Sequence, residues 1–124
     1  MKLYIKRDTS DLLARFSVLD EQCKEKYLVL GSRSPSGEKL VITDTQGEKL
    51  LKIKKIPLPV LHAFSIGNKE ENFKLIVNLS AKSSTCYYYG ISWRIRGDIS
   101  TGSYDIIDAD GTVVASHIKR FSAC

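Results

Sequence analysis

A repeated hairpin unit constrains this sequence more than any other feature. In each copy, alternating apolar and polar residues lead to an aspartate that begins a turn, and a second apolar run follows. The clear copies contain Asp20, Asp44 and Asp108, and a weaker copy surrounds residues 67–72. A period of two is typical of strands with one buried face, and aspartate and glycine favour tight turns. The sequence therefore predicts successive antiparallel hairpins, the fourth of them with a longer polar loop.

Two further strands are predicted, at residues 1–6 and 93–98. The total of roughly ten strands favours a closed antiparallel barrel or a strongly curled sheet, since closure removes exposed strand edges. Whether Tyr87, Tyr88 or Tyr89 faces inward stays open, because Gly90 marks a point where the alternation can change phase. The period-two spacing predicts that eight apolar residues point to the core: Phe16, Val18, Ile42, Ile53, Ile66, Trp93, Ile95 and Ile106.

Length and composition indicate a single globular domain over residues 1–124, with 43% hydrophobic and 27% charged residues. No apolar run approaches the roughly 20 residues that a membrane helix requires, so no transmembrane segment is expected. Residues 1–11 lack the apolar region of a signal peptide, so we expect a cytoplasmic protein. Cys23, Cys86 and Cys124 have no CxxC spacing and are expected to be free thiols.

The basic residues are the candidates for a binding site. The net charge is +5, and most such charge simply keeps a small domain soluble. Five basic residues nevertheless concentrate on two predicted strands, and we take them as the candidate site for an anion or lipid: Lys52, Lys54, Lys55, Arg94 and Arg96. His62 and His117 have no metal ligands at suitable spacing. Local hydrogen bonding within the turns is a sufficient explanation for the turn aspartates. We expect no metal, no cofactor and no enzymatic activity.

Three motifs carry a resemblance to a known family. They are Phe16-x-Val18-x-Asp20, Leu40-x-Ile42-x-Asp44-x-x-Gly47, and Gly90-x-x-Trp93-x-Ile95-x-Gly97-Asp98 followed by Tyr104-x-Ile106-x-Asp108-x-x-Gly111. In this order they resemble the LURP-one-related family of the tubby and phospholipid-scramblase superfamily. The resemblance covers nearly the whole chain and implies a tubby-like or scramblase-like β-barrel around a central, apolar C-terminal helix.

The sequence departs from that family at its end. It stops at Cys124, before the position of the helix, so we expect a β domain without its central helix. An empty apolar interior would be costly. Three arrangements would avoid it: the sheet packs against itself, a second copy pairs with the first, or an apolar ligand fills the space. A homodimer through the open edge of the barrel is the preferred expectation.

The resemblance also implies the function to be tested first, a non-enzymatic module that binds anionic phospholipid or phosphoinositide at a membrane surface. The protein would then be cytoplasmic and peripheral to the membrane. An intracellular scaffold or stress-response protein with a protein partner is one alternative. A nucleic-acid-binding domain is the other, less favoured than lipid, because the same basic residues suit a phosphate backbone.

Overall fold

The structure is a computed structural model that describes residues 1–7, 15–34, 37–57, 61–79 and 84–119. The described residues form eleven strands, one more than the roughly ten expected. In chain order they are β1 (Tyr4–Arg7), β2 (Arg15–Leu19), β3 (Glu25–Ser34), β4 (Gly37–Asp44), β5 (Lys49–Ile56), β6 (His62–Gly67), β7 (Asn72–Leu79), β8 (Ser84–Tyr89), β9 (Arg94–Asp98), β10 (Ser103–Ile107) and β11 (Val113–His117).

All eleven strands belong to one antiparallel sheet, in which each strand pairs with its neighbours in the chain. This confirms the prediction of an all-β fold made of successive hairpins. The sheet is open rather than closed, since β1 and β11 lie at opposite edges. The described residues contain no α-helix, and their single helical element is a three-residue 3₁₀ helix, Ile99–Thr101.

The three aspartate-led turns share one hydrogen-bond pattern. In the turn after β10, the Asp108 carboxylate accepts bonds from the amides of Asp110 and Thr112, both at 2.9 Å. The Asp108 amide donates to the Thr112 carbonyl, and its carbonyl accepts from the Gly111 amide. The same four bonds recur around Asp20 and Asp44. The repeat seen in the sequence is therefore a repeat of turn geometry.

Each of these turns also has a residue with positive φ three positions after its aspartate. Glycine occupies this position in two turns, Gly47 with φ of 86° and Gly111 with φ of 83°, whereas Cys23 adopts φ of 62° in the first. A register shift lies in the strand before each aspartate, as between Ile106 and Ile107 in β10. Bulges of this kind increase the local twist, so the repeat bends the sheet at three places.

The fourth turn differs from its sequence-based description. Gly67 pairs with Asn72, so the loop has fewer residues than the aspartate-led turns and is not the longer loop that we expected. Asn68 takes the role of the aspartate, and its side-chain oxygen accepts from the amides of Glu70 and Glu71 at 2.8 and 2.9 Å. Asparagine, like aspartate, accepts hydrogen bonds from nearby backbone amides. Its second bond here comes from the third residue after it rather than the fourth, in keeping with a turn that is one residue shorter.

Removing one turn aspartate should destabilise the sheet. We expect Asp108→Ala to lower the free energy of unfolding by about 2 kcal/mol, since two amides lose their acceptor. Asp110→Ala is the matched control, because no described hydrogen bond involves its carboxylate, and its effect should stay within about 0.5 kcal/mol. Urea denaturation measures both variants. If the two variants lost the same free energy of unfolding, the hydrogen bonds to the Asp108 carboxylate would make no specific contribution to stability.

The register assigns side chains to two faces, because directly opposed residues in antiparallel strands lie on the same side. All eight predicted core residues share one face, as in the rows Phe16–Val29–Ile42 and Ile53–Ile66–Phe73. We call it the apolar face. Most of its side chains are only half-buried. Of the three buried apolar residues in the described chain, Val18 lies on this face, whereas Ala63 and Ile107 lie on the other.

An aromatic cluster fixes the direction of the tyrosines that the sequence left open. Trp93 lies 5.9 Å, ring centre to ring centre, from both Phe73 and Tyr88. Tyr88 therefore lies on the apolar face. Tyr87 and Tyr89 lie on the opposite face, where they are 44% and 61% exposed. The two exposed rings lie close together on that face.

The remaining expectations concern cysteine and histidine. Cys86 is a free thiol on the apolar face, but Cys23 is disulfide-bonded, so the expectation of three free thiols is wrong for Cys23. An odd number of cysteines does not prevent one bond. His117 occupies a position of the apolar face, where its ring stacks on Tyr104 at 5.0 Å and Nδ1 lies 2.7 Å from the Gly102 carbonyl. The ring of His117 therefore packs at this edge of the apolar face.

Candidate functional site

A row of basic side chains crosses the middle of the sheet opposite the apolar face. Lys39 on β4 is directly opposite Lys54 on β5, and Lys54 is opposite Ser65 on β6. Ser65 is in turn opposite Lys74 on β7. Lys52 lies two residues from Lys54 on the same strand and side. We call this side of the sheet the lysine face.

The positive charge of the lysine face is not balanced locally. On the described parts of β4 to β7, the register places no carboxylate on this face. The proximity of Lys52, and to a smaller extent Lys49 and Lys54, lowers the pKa of Lys39 below its ordinary value. Like charges held together in this way favour the binding of an anion, which removes their repulsion.

Two exposed tyrosines extend the lysine row. Tyr89 on β8 is directly opposite Lys74, and Tyr87 is opposite Ile76 on β7 and Arg94 on β9. The two tyrosine rings are 6.3 Å apart at an interplanar angle of 56°. The lysine face thus combines a cationic centre with an adjoining aromatic patch. Tyrosine is enriched where a surface is half apolar and half wet.

The arginines lie on the same face, on β9, away from Lys52 and Lys54 on β5. Four strand spacings separate β9 from β5, which amounts to roughly 19 Å before the twist of the sheet is considered. Arg94 is exposed, whereas Arg96 donates to Asp105 at 2.8 Å in a salt bridge. Lys52 and Lys54 are therefore a compact pair, Arg96 is paired with Asp105, and Arg94 adjoins the other end of the row, where it is opposite Tyr87.

The Arg96–Asp105 pair has its own pH dependence. A hydrogen bond from Ser116, followed by the bond from Arg96, holds the pKa of Asp105 below its usual range. Because the folded pKa is the lower one, the pairing contributes to stability above the ordinary aspartate pKa of about 3.9. That contribution is lost as pH falls through the folded pKa, so Arg96 remains paired at neutral pH.

Lys55 differs from the other predicted site residues. It is directly opposite Phe64 on the apolar face, and it is half-buried. Sequence reasoning placed it with Lys52 and Lys54 because the three are close in the chain. It missed Lys39 and Lys74, which reach the cluster only through strand pairing. The sequence feature that could have revealed Lys39 is the hairpin around Asp44. Once the extra residue of its bulge is included in the register, this hairpin places residue 39 opposite residue 54.

A comparison of the sequence with models of protein families identifies the family of this chain. The model of the LURP-one-related family matches residues 1–124. The chain belongs to the LURP-one-related family. It matches no curated protein and no solved structure. Membership of the LURP-one-related family names no ligand for this chain.

Two other features are absent from the described parts of this LURP-one-related chain, a metal site and a membrane-spanning helix. The described residues contain no cluster of three or more histidine, cysteine, aspartate or glutamate side chains suited to a metal ion. Among the same residues, no helix has the length and apolar character needed to cross a membrane.

Proposed function

We propose that this protein is a non-enzymatic binding module that docks with its lysine face on the surface of an anionic bilayer. The observation that carries the proposal is the row formed by Lys39, Lys54 and Lys74, with Lys52 beside it and no facing carboxylate on β4 to β7. Each lysine near an anionic membrane surface contributes about 1 kcal/mol. Four of them in one patch would together contribute about 4 kcal/mol, which corresponds to weak, reversible binding in the millimolar range.

The geometry favours an extended anionic surface over one small anion. The lysines occupy β4, β5 and β7 and are spread across one face of the sheet. Lysine ammonium groups act as point charges, and they do not impose the bidentate geometry of arginine. The exposed rings of Tyr87 and Tyr89 also suit the headgroup region of a bilayer. Charge and aromatic groups therefore support the same partner, an anionic phospholipid surface.

Vesicle co-sedimentation tests the proposal. The protein should pellet with vesicles that contain phosphatidylserine or a phosphoinositide and remain in the supernatant with pure phosphatidylcholine. Binding should weaken steeply between about 0.05 and 0.5 M salt, as screening shortens the range of the lysine charges. Equal binding to neutral vesicles, or binding to a DNA duplex that exceeds binding to vesicles at the same salt concentration, would contradict the proposal.

The tyrosines should contribute a part of the binding that salt does not remove. We expect Tyr87→Ser combined with Tyr89→Ser to weaken vesicle binding about tenfold, since two interfacial rings are lost. The slope of binding against salt should stay unchanged, because no charge is altered. Co-sedimentation at several salt concentrations measures both quantities. A changed slope with unchanged affinity at low salt would remove the tyrosines from the proposed interface.

A further inference from the structure

Three lysines of the lysine face form a tighter group than the row as a whole. Lys39 on β4 is directly opposite Lys54 on β5, and Lys52 lies two residues before Lys54 on the same strand. Opposed residues in an antiparallel pair lie about 5 Å apart, and diagonal ones about 7 to 8 Å. Lysine side chains easily span these separations, so the three ammonium groups can converge on one small ligand. We call Lys39, Lys52 and Lys54 the lysine triangle.

Two members of the triangle are in direct contact. The side chains of Lys39 and Lys52 share a hydrogen bond, and the charge of Lys52 together with this bond lowers the pKa of Lys39. An ammonium group has three donors and no acceptor, so the bond forms only when one of the two amines gives up its proton. Holding two ammonium groups together costs free energy, and an oxyanion placed between them removes that cost. The pair therefore suits an anion with more than one negative charge.

The residues around the triangle do not neutralise its charge. Those directly opposed to it on β3, β4 and β6, apart from its own members, are uncharged: Ser32, Val41, Ser65 and Gly67. Arg96 on β9 shows the opposite case, because its guanidinium pairs with Asp105 at 2.8 Å. The positive charge of the triangle is thus directed at a ligand, whereas that of Arg96 is already compensated within the sheet.

The phosphate groups of membrane lipids differ in the properties to which the triangle responds. A phosphomonoester carries about 1.5 to 2 negative charges at neutral pH and has three terminal oxygens. A phosphodiester carries a single charge and has only two such oxygens. Three ammonium groups match three oxygens, and the additional negative charge matches the adjoining cations of Lys39 and Lys52. Hydrogen bonds between ionised partners are the stronger kind, so one more of them produces a measurable preference.

We propose that the lysine triangle is a subsite for a phosphomonoester headgroup, such as that of phosphatidate, and that it gives the lysine face a preference for such lipids over phosphodiester lipids of equal total charge. The inference rests on the proposed function, since the phosphate belongs to a lipid in an anionic bilayer. Lys74 is separated from Lys54 by the width of β6. It contacts the same surface as a single charge and does not distinguish the two kinds of phosphate.

Co-sedimentation with vesicles of matched charge tests the preference. One set of vesicles contains phosphatidate, and the other contains about twice the molar fraction of phosphatidylglycerol, so that the total negative charge is the same. We expect the protein to bind the phosphatidate vesicles about tenfold more tightly. Equal affinity for the two sets would overturn the inference and leave the proposed membrane binding intact. Failure to bind either set would overturn both.

Two variants of equal charge locate the preference within the row. Lys39→Met keeps an unbranched side chain but removes one ammonium group of the triangle, so the ratio of the two affinities should fall from about tenfold to less than about twofold. Lys74→Met removes the same charge outside the triangle. It should weaken binding to both kinds of vesicle about fivefold and leave their ratio unchanged. If both variants changed the ratio equally, or neither did, the triangle would not be its source.

Glycerol 3-phosphate distinguishes a lipid headgroup from a soluble phosphate ester, because it carries the same phosphomonoester without a membrane. Added at a concentration equal to that of phosphatidate, it should leave most of the protein on the vesicles, since it offers no surface to Lys74 and Tyr89. Co-sedimentation measures the fraction that remains bound. Displacement of most of the protein under these conditions would overturn the assignment of the triangle to a lipid headgroup.

Discussion

Reversing two charges on the lysine face should abolish binding to anionic vesicles. In Lys52→Glu combined with Lys54→Glu, two attractive charges are lost and two repulsive ones are gained. At about 1 kcal/mol for each unit of charge near the surface, the loss is about 4 kcal/mol, on the order of a 1000-fold weaker affinity. Co-sedimentation with phosphatidylserine vesicles measures this loss. Circular dichroism should show that the strands remain, since both lysines are exposed.

A control of equal net charge distinguishes a local surface from a general charge effect. Lys24→Glu combined with Lys119→Glu lowers the net charge from +5 by the same amount, at two exposed positions outside the lysine row. We expect this variant to bind within about tenfold of the wild type, through the remaining long-range attraction. Equal losses in the two double variants would mean that net charge, and not the row on β4 to β7, determines binding.

The largest effect on stability is expected at a glycine. In Gly67→Ala, the new Cβ would overlap the carbonyl oxygen of Glu71 and lie 2.8 Å from the Cα of Asn72. Both neighbours are backbone atoms of the four-residue turn, which is held by Asn68, so the turn has to open to make room. We expect the free energy of unfolding to fall by about 3 kcal/mol, measured by urea denaturation.

Gly47→Ala is the matched control for this prediction. Its Cβ would meet nothing within 4 Å, and the cost lies in its φ of 86° alone. Placing alanine in the left-handed region costs about 1 kcal/mol. A larger loss for Gly47→Ala than for Gly67→Ala would show that backbone conformation, and not close approach of the strands, limits these hairpins.

The hairpins could be predicted from sequence because their determinants are local. An aspartate such as Asp44 bonds to amides two and four residues later, and period-two alternation assigns the flanking residues to faces without knowledge of the rest of the fold. The openness of the sheet could not be predicted in this way. Closure depends on whether β1 and β11 meet, which is the sum of the twist and bulges over all eleven strands.

Only part of the candidate site could be predicted from the sequence, because the rest depends on long-range strand pairing. Lys52 and Lys54 alternate within one strand, so their common face follows from the period of two. The same rule, applied strictly, separates Lys55 from them. Lys39 and Lys74 join the cluster through pairing with β5 and β6, and strand register is set by turns and bulges that alternation does not reveal. Long-range pairing, and not residue type, completes the lysine face.

Lysine footprinting tests most directly whether the lysine face is the membrane-binding surface. The protein is acetylated with limiting reagent, with and without phosphatidylserine vesicles, and each site is quantified by mass spectrometry. Lys54 and Lys55 are neighbours in the chain on opposite faces, so they form an internal comparison. We predict that vesicles protect Lys39, Lys52, Lys54 and Lys74 and leave the relative reactivity of Lys55 unchanged. Protection of Lys55 with no protection of Lys54 would contradict the account.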